Sequence, residues 1–378
     1  MKMKSDVLIV GGGSTGLMIS YYLLKKGVRS TIIERKYPGS GNTYKCATGI
    51  RASFTSREHI ALMKRAIELW SELRDELGVF YERSGYLWLL SREEDLKMFK
   101  TYVSFQNELG VPTKVIDLSE VKRLAPTIVT KDLLAAVYDP LAGKASPFDL
   151  ILRSWQLLVE KGCKVLTGVE VKKILLNKNG VLGVETSAGS IESSTVVLAT
   201  AYDTVKLLEP LNISIPIKPV PKHAFITEAY RDLFKPLIID WTTSSYIVQT
   251  PHGNFLVGSE ISEKYSDKPL SKLKFLHKAS KVWVKYFPWM KEVYLLRYWT
   301  GYYDMTPDHH PIIGPLDDLE GLYIAAGFSG HGFMMSPSVG EIMADWIIEG
   351  RPRVSEALSL SVSRFRKGEL IKEVAVFG

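Results

Sequence analysis

Asp6-Val7-Leu8-Ile9-Val10-Gly11-Gly12-Gly13-Ser14-Thr15-Gly16 decides the reading of this chain. The unbroken apolar run Val7 to Val10 reads as a strand buried on both faces, as in parallel sheets. Gly11-x-Gly13-x-x-Gly16 then matches the dinucleotide fingerprint. Gly11 allows the tight turn after the strand, Gly13 lets backbone approach a pyrophosphate, and Gly16 lets helix and strand pack closely. From Leu17 to Lys26 apolar residues recur at helical spacing, and Gly27 stands where a C-cap is needed. Ser30 to Glu34 reads as a second strand. Glu34 closes it eighteen residues after Gly16, where a carboxylate can accept hydrogen bonds from a ribose diol. This βαβ unit predicts a doubly wound α/β domain whose first helix turns its N–H groups toward phosphates. The fingerprint alone does not separate NAD from FAD.

Further along, Arg57 to Leu77 forms an amphipathic pattern with Ile60, Met63, Ile67 and Trp70 on one face and Gly78 at its end. A helix over Phe148 to Lys161 precedes a strand over Cys163 to Leu166. Val169 to Leu176, Val181 to Thr186 and Thr195 to Ala199 read as further strands. Tyr86 to Leu90 and much of Pro221 to Arg297 read as strand too, including Ala224 to Thr227, Tyr246 to Gln249 and Asn254 to Gly258. Alternation between α/β and β-rich stretches predicts two domains built from discontinuous segments. Residues 1–84, 145–218 and 298–378 are assigned to the dinucleotide-binding domain, and 85–144 and 219–297 to a substrate-binding domain.

A second glycine-rich stretch, Gly327-Phe328-Ser329-Gly330-His331-Gly332-Phe333, follows the short strand Leu322 to Ile324 and precedes a helix read from Ser338 to Ile348. So open a backbone, ending at a helix start, can set N–H groups against negative charge such as the N1–C2=O2 edge of a reduced flavin. His331 has three readings: flavin contact, proton carrier or packed imidazole.

Composition narrows the function. The formal net charge of +7 is spread along the chain and interleaved with acids, which does not make a nucleic-acid stripe. It is compatible with an anionic substrate or with peripheral contact at an anionic membrane leaflet. Two cysteines, Cys46 and Cys163, provide no paired ligand spacing for a metal and no disulfide scaffold. The apolar run after Met1-Lys2-Met3-Lys4 is too short for a signal-peptide core, and no stretch approaches a membrane span, so a cytoplasmic location is expected.

The fingerprint, Gly39-Ser40-Gly41-Asn42-Thr43, Gly301-Tyr302-Tyr303-x-x-Thr306-Pro307-Asp308-x-x-Pro311-x-x-Gly314 and Gly327 to Phe333 together resemble the D-amino-acid oxidase, glycine oxidase and sarcosine oxidase family of flavoproteins. The resemblance runs in order over nearly the whole chain. Within the family, Cys46 to Arg51, Phe54 to Trp70, Gly143 to Phe148 and Ala325 to Met335 are most similar to the dye-linked L-proline dehydrogenase β subunits. It implies an FAD domain interleaved with an α+β domain whose large mixed sheet covers the flavin. FAD contacts are implied at Gly11, Gly13, Ser14, Thr15 and Gly16, at Glu34 and Arg35, and along Ser40, Gly41, Asn42 and Thr43. They are implied also at Thr48, Gly49, Val171, Ala199, Thr200, Gly301 and Gly327, and over Gly330, His331, Gly332, Phe333 and Met334.

Two departures from the monomeric sarcosine oxidases of that family matter. Their flavin-linking Cys, five residues before Thr-Pro-Asp, is here Gly301, which implies non-covalent FAD. Their carboxylate-binding Lys is here Met334, which leaves Arg51 as the implied carboxylate partner, with a structural Arg as the alternative. His223 and Tyr246 are implied near the substrate. The resemblance implies hydride transfer from a small amino or imino acid to flavin N5, with L-proline expected, and electrons passing to a second subunit or a dye. The alternatives are an oxidase of sarcosine, glycine or a D-amino acid that makes hydrogen peroxide, and a non-catalytic flavin-bearing subunit. Oxidases of the family often place a Lys over the flavin; Phe255 to Gly258, aligned there, contains none.

Overall fold

The computed structural model describes residues 3–178, 180–261 and 273–376. Val7–Val10 lies inside a six-stranded sheet ordered Lys164–Thr167, Ser30–Glu34, Val7–Val10, Val196–Leu198, Leu322–Ala326, Ile312–Pro315. All its pairings are parallel except the last. Strand periodicity explains why the run is apolar throughout. Val7 and Ile9 pack among helices Ser14–Lys25, Arg57–Leu77, Pro147–Glu160 and Gly332–Glu349. Leu8 and Val10 face the other way, against Val171, Ile174, Val184 and Ile191 of a four-stranded sheet. The layer on that second face is therefore a sheet. Each such buried aliphatic side chain stabilises the fold by about 1.5–3 kcal/mol.

The glycines of the first turn are sterically required. A Cβ on Gly16 would lie 2.0 Å from the Gly11 carbonyl oxygen, and one on Gly11 2.4 Å from that of Ala199. The helix read from Ser338 in fact begins at Gly332, with Pro337 inside it. Proline normally breaks a helix because it removes an N–H and orphans the carbonyl four residues back. Here that carbonyl, of Phe333, accepts from the Ser336 hydroxyl at 2.9 Å, so the helix continues to Glu349.

The eight-stranded sheet is ordered Leu295–Met305, Lys218–Ala229, Asn254–Ser259, Ser245–Gln249, Leu237–Asp240, Tyr86–Leu90, Ala135–Asp139, Lys114–Ile116. It is mixed: Leu237–Asp240 pairs with Tyr86–Leu90 in parallel, the other neighbours antiparallel. Residues 298–305, assigned by the sequence to the dinucleotide-binding segments, continue the strand Leu295–Met305 of this sheet. The stretch Pro221 to Arg297 is less uniformly strand than its composition predicts, because Leu273–Tyr286 is a helix. Its Phe275, Ala279 and Trp283 cover one face of the large sheet. The other face presents Tyr86, Trp88, Ala224, Leu237, Ile239 and Tyr246. No helix among the described residues is long and apolar enough to cross a membrane.

Candidate active site between the two sheets

A cavity of about 620 Å³ runs from the ends of strands Val7–Val10 and Ser30–Glu34 to the face of the large sheet. Its size is that of a cofactor or ligand site. At the first end the helix Ser14–Lys25 begins with no cap from its own N-cap residue, Gly13, and no acid in its first turn, so its positive end is not neutralised by a charge of its own. Thr43 lies beside it, its Oγ1 accepting the Ser14 N–H at 3.1 Å. Glu34 is fixed by the N–H groups of Gly12 and Lys36, both at 2.9 Å. Arg35 borders the cavity but pairs with Asp203 at 2.8 Å. Val171, Ala199, Thr200, Ser40 and Gly41 complete this end. Thr48 and Ala201, both on the wall, hold left-handed backbone at φ 63 and 51, a strain that gathers at ligand sites.

Asn42 joins the two halves, its Oδ1 accepting the Tyr302 N–H at 3.1 Å, next to Gly301. Gly49 is forced by Tyr86, whose hydroxyl occupies the space where a Cβ would be. On the far wall Gly330 carries φ +93, and a Cβ there would meet the Tyr303 ring at 2.3 Å. His331, Gly332, Phe333 and Met334 follow, so the uncapped start of the Gly332–Glu349 helix also opens on the cavity. Gly16 and Gly327 lie off the wall. Gly16 serves packing, and the Gly327 N–H donates to the Asp304 carboxylate at 2.7 Å, so it is not available to a ligand. Burial pushes the Asp304 carboxyl up to about 6.

Arg51 borders the cavity and is 3% exposed. Its Nη1 donates to the Ser53 carbonyl at 2.7 Å and its Nη2 to that of Ala375 at 2.5 Å. The guanidinium lies 3.7 Å over the Phe54 ring and 5.1 Å from that of Trp88. Among the described residues no carboxylate comes within 4.0 Å of it. Burial lowers its pKa to about 10, so it remains charged at neutral pH. The Glu373 and Asp139 carboxylates act on this buried charge from beyond ion-pair distance, so an anion bound in the cavity would be a closer partner.

Tyr246 enters the same wall, its ring filling the space left by Gly258 across the sheet. Tyr86 and Tyr303 stand with it, and burial raises all three phenols, so they are neutral donors. His223 is not brought to them. It borders the cavity, but its ring stacks 5.4 Å from Phe275 on the helix-covered face and bonds to Thr300 Oγ1 at 2.9 Å. Strand parity explains this: Lys222 and Ala224 face the opposite way. Tyr86, Tyr303 and Lys222 were missed from the sequence. Lys222 is one of several lysines that border the cavity, with Lys36, Lys45, Lys172 and Lys206, and its Nζ bonds Glu260 at 2.8 Å.

Behind His331, which burial keeps neutral, lie His59 and His310, with ring centroids 4.2 Å apart. Together with Glu373 they place ligand atoms within 4.8 Å of one another. The Glu373 oxygens, however, already accept from Thr55, Ser56 and Ala375, as in a hydrogen-bond hub.

The fit to FAD rests on this geometry: glycines a Cβ would overfill, two uncapped helix starts on one cavity, and a carboxylate at the strand end. Comparison with known proteins agrees. The family described as FAD dependent oxidoreductase, DAO, matches residues 6–346. The sarcosine oxidase subunit beta of Rhodobacter capsulatus is 26% identical, over 100% of this chain and 92% of that protein. The glycine oxidase of Geobacillus kaustophilus is 25% identical, over 96% of this chain and 98% of that protein. The crystal structure of L-proline dehydrogenase from P. horikoshii superposes with a TM-score of 0.95 at 36% identity, over 98% of this chain and 100% of that one.

Proposed function

The chain belongs to the DAO family of FAD dependent oxidoreductases, and from that premise we propose that it oxidises the carbon–nitrogen bond of a small amino or imino acid, L-proline first among them. One observation carries the substrate class: Arg51, buried on the cavity wall, with no carboxylate among the described residues within 4.0 Å of it. Its planar fork suits a substrate carboxylate held by two parallel bonds. Leu237, Ile239 and Ala224 provide an apolar wall for the methylenes of a ring. The neutral hydroxyls of Tyr246 and Tyr86 border the same space and can orient the amine. When bound, FAD supplies the acceptor of the hydride from the carbon beside nitrogen. Gly11, Gly13, Thr15 and Glu34 would hold its nucleotide, and Gly330 to Met334 its ring end. Gly301 in the wall, and a Cys46 whose thiol burial pushes up to about 12, support non-covalent FAD.

The likeness to L-proline dehydrogenase over the whole of both chains supports L-proline. Relatives called subunit beta support work inside a multi-subunit enzyme that takes the electrons onward. Two unpaired cysteines accord with a reducing cytoplasm. Lys222 on the wall favours a second reading, an oxidase that makes hydrogen peroxide, whereas its pairing with Glu260 favours the dehydrogenase. Anaerobic mixing with a panel of amino acids, following flavin absorbance, tests the substrate class. Bleaching by L-proline with little peroxide in air is the expected result; no bleaching by any amino acid would sink the proposal.

A further inference from the structure

After the helix Ser363–Lys367 the chain turns at Gly368 and crosses back over the segment that bears Arg51. Glu373 is the node of this crossing and is 0% exposed. Its carboxylate accepts the Thr55 N–H at 3.0 Å, the Ser56 hydroxyl at 2.7 Å and the Ala375 N–H at 2.8 Å. Its own N–H donates to the Asp308 carbonyl at 3.2 Å, and its carbonyl accepts from His309 Nδ1 at 2.9 Å. Next to it, the Val374 N–H donates to Thr55 Oγ1 at 3.2 Å. Residues 373–375 are thereby tied both to the Arg51 segment and to the loop at Asp308. The consequence lies one residue further on, where the Ala375 carbonyl accepts from Arg51 Nη2 at 2.5 Å. That acceptor is neutral. It fixes the direction of the guanidinium, while the strap's carboxylate bonds Thr55 and Ser56 and acts on the guanidinium charge only through space.

We propose that Glu373 is a positioning residue for substrate recognition: it pins the strap so that the Ala375 carbonyl keeps Arg51 aimed into the cavity. The proposal rests on Arg51 as the carboxylate partner. The test uses the FAD-loaded full chain and reads the apparent Kd for L-proline, and for L-prolinamide, which lacks the carboxylate, in anaerobic flavin reduction. Glu373→Gln is expected to raise the Kd for L-proline about tenfold, to change the limiting rate less, and to leave the Kd for L-prolinamide within about twofold. Thr55→Val, a gentler cut through the same ties, moves the Kd for L-proline the same way by less. In an Arg51→Ala background neither substitution adds a further loss. Unchanged affinity for L-proline in both variants, with Arg51→Ala itself weakened, overturns the strap's role alone. Equal loss for the amide also overturns it, because the effect is then not on carboxylate recognition. Wild-type affinity in Arg51→Ala overturns the reading of Arg51 beneath it.

Discussion

Arg51 sits where two requirements meet: a substrate carboxylate needs a cation, and a buried cation needs an anion. Arg51→Ala should therefore reduce kcat/KM on the best amino acid by about 2–4 kcal/mol, with FAD content nearly unchanged. Arg51→Lys should recover little, since an ammonium lacks the planar fork and cannot reach both Ser53 and Ala375. Wild-type kinetics in Arg51→Ala would make it structural. Asp304 yields a pH-dependent prediction. Its folded pKa lies near 6, above the ordinary 3.8, so between those values the folded chain holds a proton that the unfolded chain has released. The stability it contributes is full below the lower value and is lost as pH rises through the upper one, by about 3 kcal/mol at most. Asp304→Asn does not titrate, so its Tm should gain on the wild type across that window; parallel melting curves would refute the assignment. That Arg51 borders the cavity was legible because it stands beside the cofactor loop in sequence. His223 borders the cavity with its ring turned to the helix-covered face; its strand is visible in the sequence but not its register, and a one-residue change of parity turns a side chain to the other face. Tyr86 and Lys222 carried no local signal, since an aromatic or a lysine in a strand looks the same on either face.

At the scale of elements, caps and glycines governed what could be read. Ser30–Glu34, Arg57–Leu77 and Tyr86–Leu90 match their sequence bounds because turn residues bracket them, and Gly78 takes the left-handed cap at φ 69. The helix Gly332–Glu349 was read as starting six residues late because Pro337 signals a break and the rescue by Ser336 is a tertiary detail of one rotamer. Leu273–Tyr286 was lost in a stretch whose aromatic and β-branched content favours strand, although its apolar residues follow helical spacing. The shortfall at Gly332 matters for function, because the missing turn is the one that opens on the cavity. The same helix depends on Gly340, where a Cβ would stand 2.7 Å from the backbone of Met18 in the fingerprint helix. Backbone cannot yield as a side-chain tip can. Gly340→Ala should therefore push apart the two helices whose starts face the cofactor, destabilising the chain by about 1–3 kcal/mol and weakening FAD retention. Thermal melting with and without added FAD checks this. An unchanged Tm would mean that the helices separate without cost.

Across the whole molecule, the cavity lies between two sheets whose strands come from alternating parts of the chain, so neither wall is complete without the other. Direct ties between the halves at this place include Asn42 Oδ1 to the Tyr302 N–H and Trp299 Nε1 to the Lys45 carbonyl, both at 3.1 Å, the Gly327 N–H to the Asp304 carboxylate at 2.7 Å, and the Tyr202–Tyr302 ring contact. A dinucleotide filling the cavity would touch both halves and stabilise their union. Linkage fixes the size of that effect: a ligand at a hundred times its Kd adds about 2.7 kcal/mol to the stability of the form that binds it. If FAD is held non-covalently, as Gly301 and the protonated Cys46 favour, the gain must depend on free FAD concentration. The expected result has two parts. Acid precipitation leaves intact flavin in the supernatant, and the refolded apoprotein shows a Tm that climbs with the logarithm of added FAD above Kd. Glu34→Ala, which removes a carboxylate anchored at the strand end by Gly12 and Lys36, should shift that climb to higher FAD by about 1–3 kcal/mol. Flavin that stays with the precipitated chain would exclude non-covalent binding, and an unshifted climb in Glu34→Ala would remove Glu34 from the nucleotide's partners.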